Sequence, residues 1–547
     1  MKQNLQITLA GLVQGVGMRP WILHRAHTLK LAGSVQNAAG GVTIEVEGEA
    51  ENIAQFLSAL QQDPPPGACI NHICSQPKAL QGHTGFQIRS SIGEGQHTAH
   101  VPKDRAPCVE CLSEMRDPHN RRYRHPFISC VSCGPRFSIV KSMPFDRNTT
   151  SMSDFLPCEI CANEYDNPFD RRHHAQTISC LNCGPVLHYQ DTDHSVEGNT
   201  QALDAAVFCL QQGGILALKG VGGYQLVCAA NNETGIARLR LWKDRQRKPL
   251  AVMVADTHQA SNICDLSEPE RVALSSAAAP IVIARRKAGT DLSTSLAPGL
   301  QSLGVMLPAS PLHQIIADAL AHTLVVTSAN RGGEPVITDD ADAEQQLVNI
   351  ADGLLRHNRQ IIHMVDDSVL RYAGQRRILM RHARGFAPTS VTVSGRSSAG
   401  LALGGHMKSA AALQTGRNLT LLQHIGDLTT LTAQARLLEE GLGIARHLFH
   451  TLPLSTARDL HPDYASTDIA QRLALPEQAV PHHVAHILSL VAEQHVSLPA
   501  LGVAFDGTGL GTDNTIWGGE FIRISEAAKD KPRALEWQRF GTILQFP

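Results

Sequence analysis

The stretch CVECLSEMRDPHNRRYRHPFISCVSCGPRF, residues 108–137, contains two Cys-x-x-Cys pairs, and CEICANEYDNPFDRRHHAQTISCLNCGPVL, residues 158–187, repeats the pattern. Two thiolates of one such pair can reach the same ion, and zinc prefers four ligands in a tetrahedron. The repeat therefore predicts two closed four-thiolate zinc sites, which are structural because they leave no position for water. The eight predicted ligands are Cys108, Cys111, Cys130, Cys133, Cys158, Cys161, Cys180 and Cys183.

The spacing leaves two features of the repeat open. Each ion could be bound within one repeat, which is simpler, or by pairs taken from both repeats. A redox function is disfavoured because no βαβ pattern adjoins the cysteine pairs. Basic residues of the repeat are typical either of nucleic-acid contact or of a solvated face; they are Arg121, Arg122, Arg124, Arg171 and Arg172.

Length and composition limit the class of protein. At about 100–200 residues per domain, 547 residues predict three to five domains. Hydrophobic residues make up 43% and charged residues 18%, so the chain can form large cores. A net charge of −2 lacks the excess of basic residues that is typical of a dedicated nucleic-acid-binding protein. The sequence has neither a membrane-spanning apolar run nor a secretory signal, and clustered cysteine pairs suit a reducing compartment, so we predict a cytoplasmic protein without membrane association.

Residues 1–92 predict a small α+β domain. Gln6–Leu12 alternates like a strand, Pro20–Lys30 has the pattern of a helix, and Ser34–Gly48 that of a hairpin. A second helix is predicted at Glu51–Gln61, followed by two strand-like runs. This βαββαβ order is that of a ferredoxin-like sandwich.

The loop GLVQGVGMR, residues 11–19, joins the first strand to the first helix. Its glycines and arginine could form a phosphate cradle, although a tight turn alone would have the same composition. Together with SVQNAAGGV, residues 34–42, the loop resembles the acylphosphatase family. That resemblance implies that Arg19 binds the phosphoryl group of an acyl phosphate and that Asn37 orients the attacking water. The family usually has an aromatic residue at the position of Met18, which we interpret as a change of packing.

Residues 200–388 alternate strands and helices around glycine turns that are rich in cations. As a set, the segments KDRQRKP (from Lys243) and SAN (from Ser328) are similar to the YrdC-like family, which makes carbamoyl-type adenylates from ATP. The segments LGVMLPASPLH (from Leu303), HNR (from His357) and RHARGFAP (from Arg381) resemble the version of this domain in the HypF family. The resemblance implies a set of ATP or carbamate contacts: Lys219, Lys243, Arg245, Lys248, Ser328 and Asn330.

Residues 398–547 predict a second α/β region. Glycine turns at Gly404-Gly405 and Asp506-Gly507 resemble the phosphate-binding turns of actin-like ATPases. His482 and His486 lie at positions i and i+4 of a predicted helix and could share a metal, whereas His483 points to another face. This pattern is similar to the TsaD-like domain of the HypF family, which implies Asp506 as a third ligand and iron or zinc as the metal.

In that family the actin-like domain continues further than this sequence does. Here the sequence ends at Leu544-Gln545-Phe546-Pro547. We therefore expect only the N-terminal part of the actin-like fold, and weak or absent transfer in the last step.

The order of motifs predicts a multidomain α+β and α/β protein of the HypF family: a ferredoxin-like acylphosphatase at 1–92, a double zinc finger at 105–190, a YrdC-like domain at 200–388 and a partial actin-like domain at 398–547. The resemblance implies an ATP-dependent carbamoyltransferase of [NiFe]-hydrogenase maturation. Its substrates would be carbamoyl phosphate and ATP with Mg²⁺, and its acceptor the C-terminal cysteine of the protein HypE. Two alternatives are a tRNA threonylcarbamoyl-modifying enzyme, which the acylphosphatase motif and neutral charge disfavour, and a non-catalytic zinc scaffold.

Overall fold

The computed structural model describes residues 1–93, 95, 97–526 and 535–543. These residues form two compact units, the first comprising Met1–Gly332 with Val336–Pro388, and the second comprising Gly333–Pro335 with the described residues from Thr389 onward. Among the described helices, none combines the length and the apolar composition needed to cross a bilayer. The sequence predicts that the actin-like fold ends at Leu544–Pro547, and these four residues lie outside the described residues.

The first unit begins with the predicted ferredoxin-like domain. Its elements are β1 (Lys2–Leu12), α1 (Met18–Thr28), β2 (Ala32–Ala38), β3 (Gly41–Glu49), α2 (Ala50–Gln62), β4 (Cys69–Lys78) and β5 (Phe86–Ile88). The sheet has the order β4-β1-β3-β2-β5, with β2 and β5 parallel and the remaining neighbours antiparallel. The apolar face of α2, formed by Ile53, Phe56 and Leu60, packs against the inward residues of the sheet. The predicted fold of this block is confirmed.

The cysteine repeat follows with little regular structure. Each repeat places a short helix after its first cysteine, α3 (Val109–Arg116) and α4 (Glu159–Asp166), and closes with turns. Short 3-10 helices between the repeats span Phe137–Ile139, Arg147–Thr149 and Ser151–Asp154. Few hydrophobic residues other than cysteines are buried in the second repeat, so its core depends on the cysteines themselves.

The rest of the first unit is a mixed α/β domain around a twelve-stranded sheet. The strands are β6 (Leu187–Gln190), β7 (Ser195–Glu197), β8 (Leu216–Lys219), β9 (Tyr224–Ala229), β10 (Val252–Met253), β11 (Cys264–Asp265), β12 (Ile281–Arg286), β13 (Ser302–Met306), β14 (Leu324–Ser328), β15 (Gly353–His357), β16 (Val369–Ala373) and β17 (Arg376–Arg381). The helices are α5 (Asn199–Gln211), α6 (Glu233–Trp242), α7 (Thr257–Ile263), α8 (Glu268–Leu274), α9 (Pro311–Leu320) and α10 (Asp340–Leu347). The central strands β8, β9 and β14 are buried on both faces, which explains their continuous apolar runs.

The second unit contains two sheets. Its elements are β18 (Thr389–Ala402), β19 (Ala412–Leu421), α11 (Leu431–His447), β20 (Ser455–Asp459), α12 (Ala465–Leu473), β21 (Glu477–Val480), α13 (His482–Gln494), β22 (Ala500–Leu510), β23 (Ile516–Glu526) and β24 (Leu535–Ile543). The sheet orders are β19-β18-β20-β21 and β22-β23-β24. The predicted turn at Asp506-Gly507 is wrong, because both residues lie inside β22, where the register with β23 shifts between Phe505 and Gly509. A bulge, rather than a turn, re-aims the Asp506 side chain.

Candidate functional site

The loop between β1 and α1 forms one wall of a small pocket that contains Arg19. Gly15 (φ 69°) and Gly17 (φ 78°) adopt left-handed backbone conformations that favour glycine, and Gly17 is the N-cap of α1. The first N–H groups of a helix lack partners within it and suit an anion. Arg19, which is 9% exposed, follows in the first turn of α1. The loop therefore has the geometry of a phosphate cradle.

Arg19 is held by two side chains from outside its own helix. Its Nη2 donates to Asp146 Oδ1 at 2.6 Å, and its Nη1 donates to Ser91 Oγ at 3.2 Å. The Ser91 hydroxyl also donates to the second Asp146 oxygen. These contacts use one N–H of each Nη, so the Nε–H and the remaining Nη N–H groups can still bind an oxyanion.

Asn37 faces the same pocket from β2. It is 1% exposed, and within the described part of the chain neither its Oδ1 nor its Nδ2 has a hydrogen-bond partner. An unsatisfied buried amide costs about 1–3 kcal/mol, which is the kind of strain that functional sites retain. The carboxamide is therefore available to a water molecule or a ligand next to Arg19.

The cysteine repeat covers this pocket. Arg136, which follows the first four cysteines, donates from Nε to Gly15 O at 2.6 Å and from Nη2 to Val131 O at 2.9 Å. His174 of the second repeat also lines the pocket, and burial lowers its pKa to about 3, so the imidazole is neutral. Neither Asp146 nor Arg136 was expected at this site, since nothing in the local sequence links them to a loop more than a hundred residues earlier.

The eight predicted zinc ligands form two clusters, one within each repeat. In the first cluster, Sγ–Sγ distances are 3.7 Å for Cys108–Cys130 and for Cys130–Cys133, and 3.6 Å for Cys133–Cys111. A tetrahedral site with Zn–S bonds of about 2.3 Å requires sulfur atoms about 3.8 Å apart. The second cluster has the corresponding spacing of 3.7 Å. Both clusters fit structural zinc, and each four-cysteine site lies within one repeat.

The arginines of each repeat contact the cluster of the other. Arg171 donates from Nη2 to Cys108 Sγ and Cys111 Sγ, both at 3.3 Å, and from Nη1 to Glu114. In the mirrored contact, Arg121 donates to Cys161 Sγ at 3.4 Å and to Glu164. The four arginines Arg121, Arg122, Arg171 and Arg172 are thus neither a solvated face nor a free basic surface. They offset the negative charge of a four-thiolate zinc centre across the repeat.

Replacing Arg171 by methionine should weaken zinc binding at the first cluster by about 10- to 100-fold, the usual effect of removing a group that hydrogen-bonds a metal ligand. The measurement is the rate and extent of zinc transfer to a coloured chelator. Arg124→Met is the matched control, because Arg124 lies in the repeat that contains the first cluster but pairs with the exposed Asp204. Equal zinc transfer from the two variants would contradict this role for Arg171.

Four of the predicted nucleotide contacts lie together at the end of β14. Lys243 Nζ donates to Ser328 O and Asn330 O, both at 2.6 Å, and Ser328 Oγ donates to Asn330 Oδ1 at 2.6 Å. Arg245 Nη1 lies 3.5 Å from Thr327 Oγ1. Burial, and then Arg245, lower the pKa of Lys243 to about 7. Lys243 therefore braces the loop that carries Ser328 and Asn330, and its contact with a nucleotide stays a prediction.

The other two predicted contacts do not bond to this loop in the same way. Lys248 is exposed, although it is near enough for its charge to act on Lys243. Lys219 is buried and donates to Asp340 Oδ1 at 2.6 Å and to His357 O at 3.0 Å. It lines a different cavity from the one that Ser328 lines. The six residues thus do not form one cluster.

A cluster of two histidines and an aspartate lies in the second unit. His482 Nε2 is 2.8 Å and His486 Nε2 is 3.3 Å from Asp506 Oδ2. The second nitrogen of His482 is 2.5 Å from Asp459 Oδ2, so this carboxylate fixes the ring. His483 is buried and bonds to Gly518 O instead. The geometry brings the three predicted ligands together, and their binding of a metal stays a prediction.

The predicted phosphate-binding glycines lie on two different elements. Gly404 and Gly405 follow β18 and line one cavity with His482 and His486. Gly507 lies beside Asp506 in the bulge of β22, with open space where a side chain would stand. Asp459 was not expected at this site, although it ends β20 next to the same cavity.

Sequence profiles of known families match most of the chain. The acylphosphatase profile matches residues 5–88, the HypF finger 108–140 and 158–189, and the profile described as telomere recombination, which covers the Sua5, YciO and YrdC proteins, 209–383. The HypF Kae1-like domain matches residues 396–493, and the second subdomain of the carbamoyltransferase Kae1-like domain matches 502–542.

Similar proteins cover the whole length of the chain. The carbamoyltransferase HypF of Synechocystis is 42% identical over 100% of this chain and 70% of its own length, and that of Rhizobium leguminosarum is 41% identical over 100% and 69%. A crystal structure of full-length HypF in a phosphate- and nucleotide-bound form superposes with a TM-score of 0.92 at 36% identity, covering 98% of this chain and 70% of that one. The HypF structure from T. kodakarensis gives a TM-score of 0.88 at 35% identity, covering 96% and 68%.

Proposed function

The chain belongs to the HypF family of carbamoyltransferases, and from this premise we propose that it cleaves carbamoyl phosphate, activates the resulting carbamate with ATP and transfers the carbamoyl group to a protein thiol. The acceptor is the C-terminal cysteine of HypE, and the product is the precursor of the cyanide ligands of [NiFe]-hydrogenase.

The first step is hydrolysis of carbamoyl phosphate to carbamate and phosphate. The single observation that supports this hydrolysis step is that Arg19 and Asn37 line the same pocket, where the Asn37 carboxamide is buried and has no hydrogen-bond partner among the described residues. Arg19 and the loop N–H groups bind the phosphoryl oxygens, while Asn37 orients the water that attacks. Asp146 and Ser91 keep the guanidinium of Arg19 in place.

The second step joins carbamate to the α-phosphate of ATP and releases pyrophosphate. Arg245 and Lys248 supply positive charge near the loop of Ser328 and Asn330, which Lys243 holds in place. Cations beside a strand end suit the triphosphate, which enters as its Mg²⁺ complex. Carbamate decomposes readily in water, so its formation and use in one compact unit limit its loss.

In the last step the thiol sulfur attacks the carbamoyl carbon and AMP leaves. The cluster of His482, His486 and Asp506 supports this assignment, since two imidazoles and a carboxylate suit iron or zinc. Gly404, Gly405 and Gly507 would allow the adenylate to approach the backbone closely.

Carbamoyl phosphate carrying a ¹⁴C label tests the proposal. Any label that reaches protein in an incubation with ATP and HypE should lie on HypE, and a HypE variant without its C-terminal cysteine should remain unlabelled. Label on that variant would contradict the proposed acceptor.

A further inference from the structure

A second cationic cavity lies in the first unit, separate from the pocket of Arg19. We call it the Arg359 cavity; its walls include Arg105, Phe127, Lys219, Ser310, His357 and Arg359. It shares Val221 and Ala309 with the neighbouring cavity that contains Ser328. Its chemistry follows from one arginine and one serine.

Arg359 is a buried cation without an anionic partner. It is 6% exposed, and its guanidinium lies 5.3 Å from the centre of the Phe127 ring. Among the described residues, no side chain or carbonyl forms a hydrogen bond or ion pair with it. Its nitrogens are nevertheless not among the side-chain atoms that lack a partner and are fully shielded from solvent. The nitrogens therefore face the cavity. Burial lowers the pKa of Arg359 to about 10, so the group is still charged at pH 7.

The other charged groups around the cavity do not neutralise Arg359. Lys219 is paired with Asp340, and Arg105 donates from Nε to Ser132 O. The charge of Asp104 acts on Arg359, but this carboxylate already accepts from Arg136 N and from the Ser138 hydroxyl. His357 is neutral, because burial lowers its pKa well below the ordinary value. An unpaired buried charge is strongly unfavourable, so the arrangement suits an incoming anion.

Ser310 lies at the end of a chain of buried hydrogen bonds. Arg384 donates to Asp367 Oδ1, and Gln225 Nε2 donates to Asp367 Oδ2 at 2.8 Å. Gln225 Oε1 is 2.7 Å from His313 Nε2, and His313 Nδ1 is 2.6 Å from Ser310 Oγ. Burial lowers the pKa of His313 to about 4, so its ring carries one proton.

The direction of every bond in this chain is fixed. The Asp367 carboxylate only accepts, so Gln225 must present its amide N–H₂ to Asp367 and its oxygen to His313. His313 must therefore carry its proton on Nε2 and accept at Nδ1. The Ser310 hydroxyl then donates to His313, and its oxygen already accepts from His313 N at 3.2 Å. The one lone pair left on Ser310 can only accept a hydrogen bond from a ligand in the cavity.

We propose that the Arg359 cavity binds a small planar carboxylate that also carries a hydrogen-bond donor, with Arg359 binding its oxygens and Ser310 accepting from its donor. Carbamate, H₂N–COO⁻, has both features. That identity rests on the proposed function, whereas the anion site itself does not. Arg359 and Ser310 are thereby binding residues for the carbamate that the adenylation step consumes.

Bicarbonate is a suitable probe, because it is planar, anionic and carries one O–H donor. Line broadening of [¹³C]bicarbonate by the full chain should show binding at pH 8. Arg359→Gln should weaken it at least about tenfold, as expected for loss of a charge-assisted hydrogen bond, and Arg359→Lys should restore part of it. Arg238→Gln is the control, since Arg238 forms an exposed ion pair with Asp352 outside the cavity. Equal binding by Arg359→Gln and the native chain would overturn the proposal.

Nitrate separates the two binding roles, because it is planar and anionic but has no donor. Ser310→Ala should weaken bicarbonate binding several-fold but leave the affinity for nitrate, measured by its displacement of bicarbonate, unchanged. Arg359→Gln should weaken the binding of both anions. An equal loss of both anions in Ser310→Ala would overturn the role of Ser310. Zinc content and circular dichroism verify that each variant is folded.

Activity distinguishes failure of this site from failure of the proposed function. Arg359→Gln should retain benzoyl phosphate hydrolysis within about twofold, yet lose AMP formation from carbamoyl phosphate and ATP by at least about tenfold. If the native chain forms no AMP but still binds bicarbonate through Arg359, the proposed function fails and the anion site stands. If AMP forms equally in the variant, the assignment to carbamate fails.

Discussion

Arg19→Ala should lower the hydrolysis of benzoyl phosphate by about 10²- to 10³-fold, the usual loss when a charge-stabilising donor is removed from a reacting group. Arg19 supplies a side-chain cation in the first turn after the loop N–H groups and is already oriented by Asp146 and Ser91. The measurement is kcat/KM for benzoyl phosphate in the full chain. Arg19→Lys should recover little activity, because an ammonium cannot bind two oxygens side by side.

Arg25→Ala is the matched control for that variant. Arg25 lies on the same helix and also pairs with an aspartate, Asp63, but this pair is at the surface. Its loss should leave hydrolysis within about twofold of the native rate, since surface ion pairs contribute little. Equal activity in the Arg19 and Arg25 variants would also favour a zinc scaffold over an enzyme.

Cys133→Ser should remove one of two zinc ions and lower acyl phosphate hydrolysis at least about tenfold. Structural zinc contributes on the order of 10 kcal/mol in isolated fingers, so the first cluster should lose its order. Arg136 follows Cys133 by three residues and connects Val131 O to Gly15 O of the phosphate loop. Disorder in the finger therefore reaches the pocket of Arg19.

Zinc content by elemental analysis and kcat/KM for benzoyl phosphate test this coupling together. Cys74→Ser is the control, because Cys74 is exposed on β4 outside both clusters. It should retain two zinc ions and native hydrolysis. Native hydrolysis in a Cys133→Ser protein with one zinc ion would show that the finger does not support the pocket.

Much of the fold follows from local pattern. Periodicity and ligand spacing act over a few residues, so they can be read from the sequence. The structure confirms the strand and helix order of the first 92 residues, the helix at His482 and the two four-cysteine clusters. The bulge at Asp506 was missed because a glycine-rich segment predicts a turn equally well, and only pairing with β23 keeps it extended.

The side chains that complete the sites could not be predicted in this way. Asp146 meets Arg19, and Arg171 meets Cys108, only because the fold brings distant segments together. A single sequence contains no signal for such pairs. Lys219 shows the same limit: its place before a glycine turn predicts an ATP or carbamate contact, but only the fold determines that it lines the Arg359 cavity and not the cavity of Ser328.

The proposed function depends on carbamoyl phosphate being the source of the group that ATP activates. The most direct test measures pyrophosphate, and AMP together with carbamoyl adenylate, formed from ATP by the full chain with carbamoyl phosphate, with benzoyl phosphate, and with neither. Pyrophosphate and the adenosine products should appear in equal amounts with carbamoyl phosphate. They should not appear with benzoyl phosphate, because its hydrolysis yields no carbamate. AMP formation that is unchanged by carbamoyl phosphate, or its replacement by ADP formation, would contradict the account.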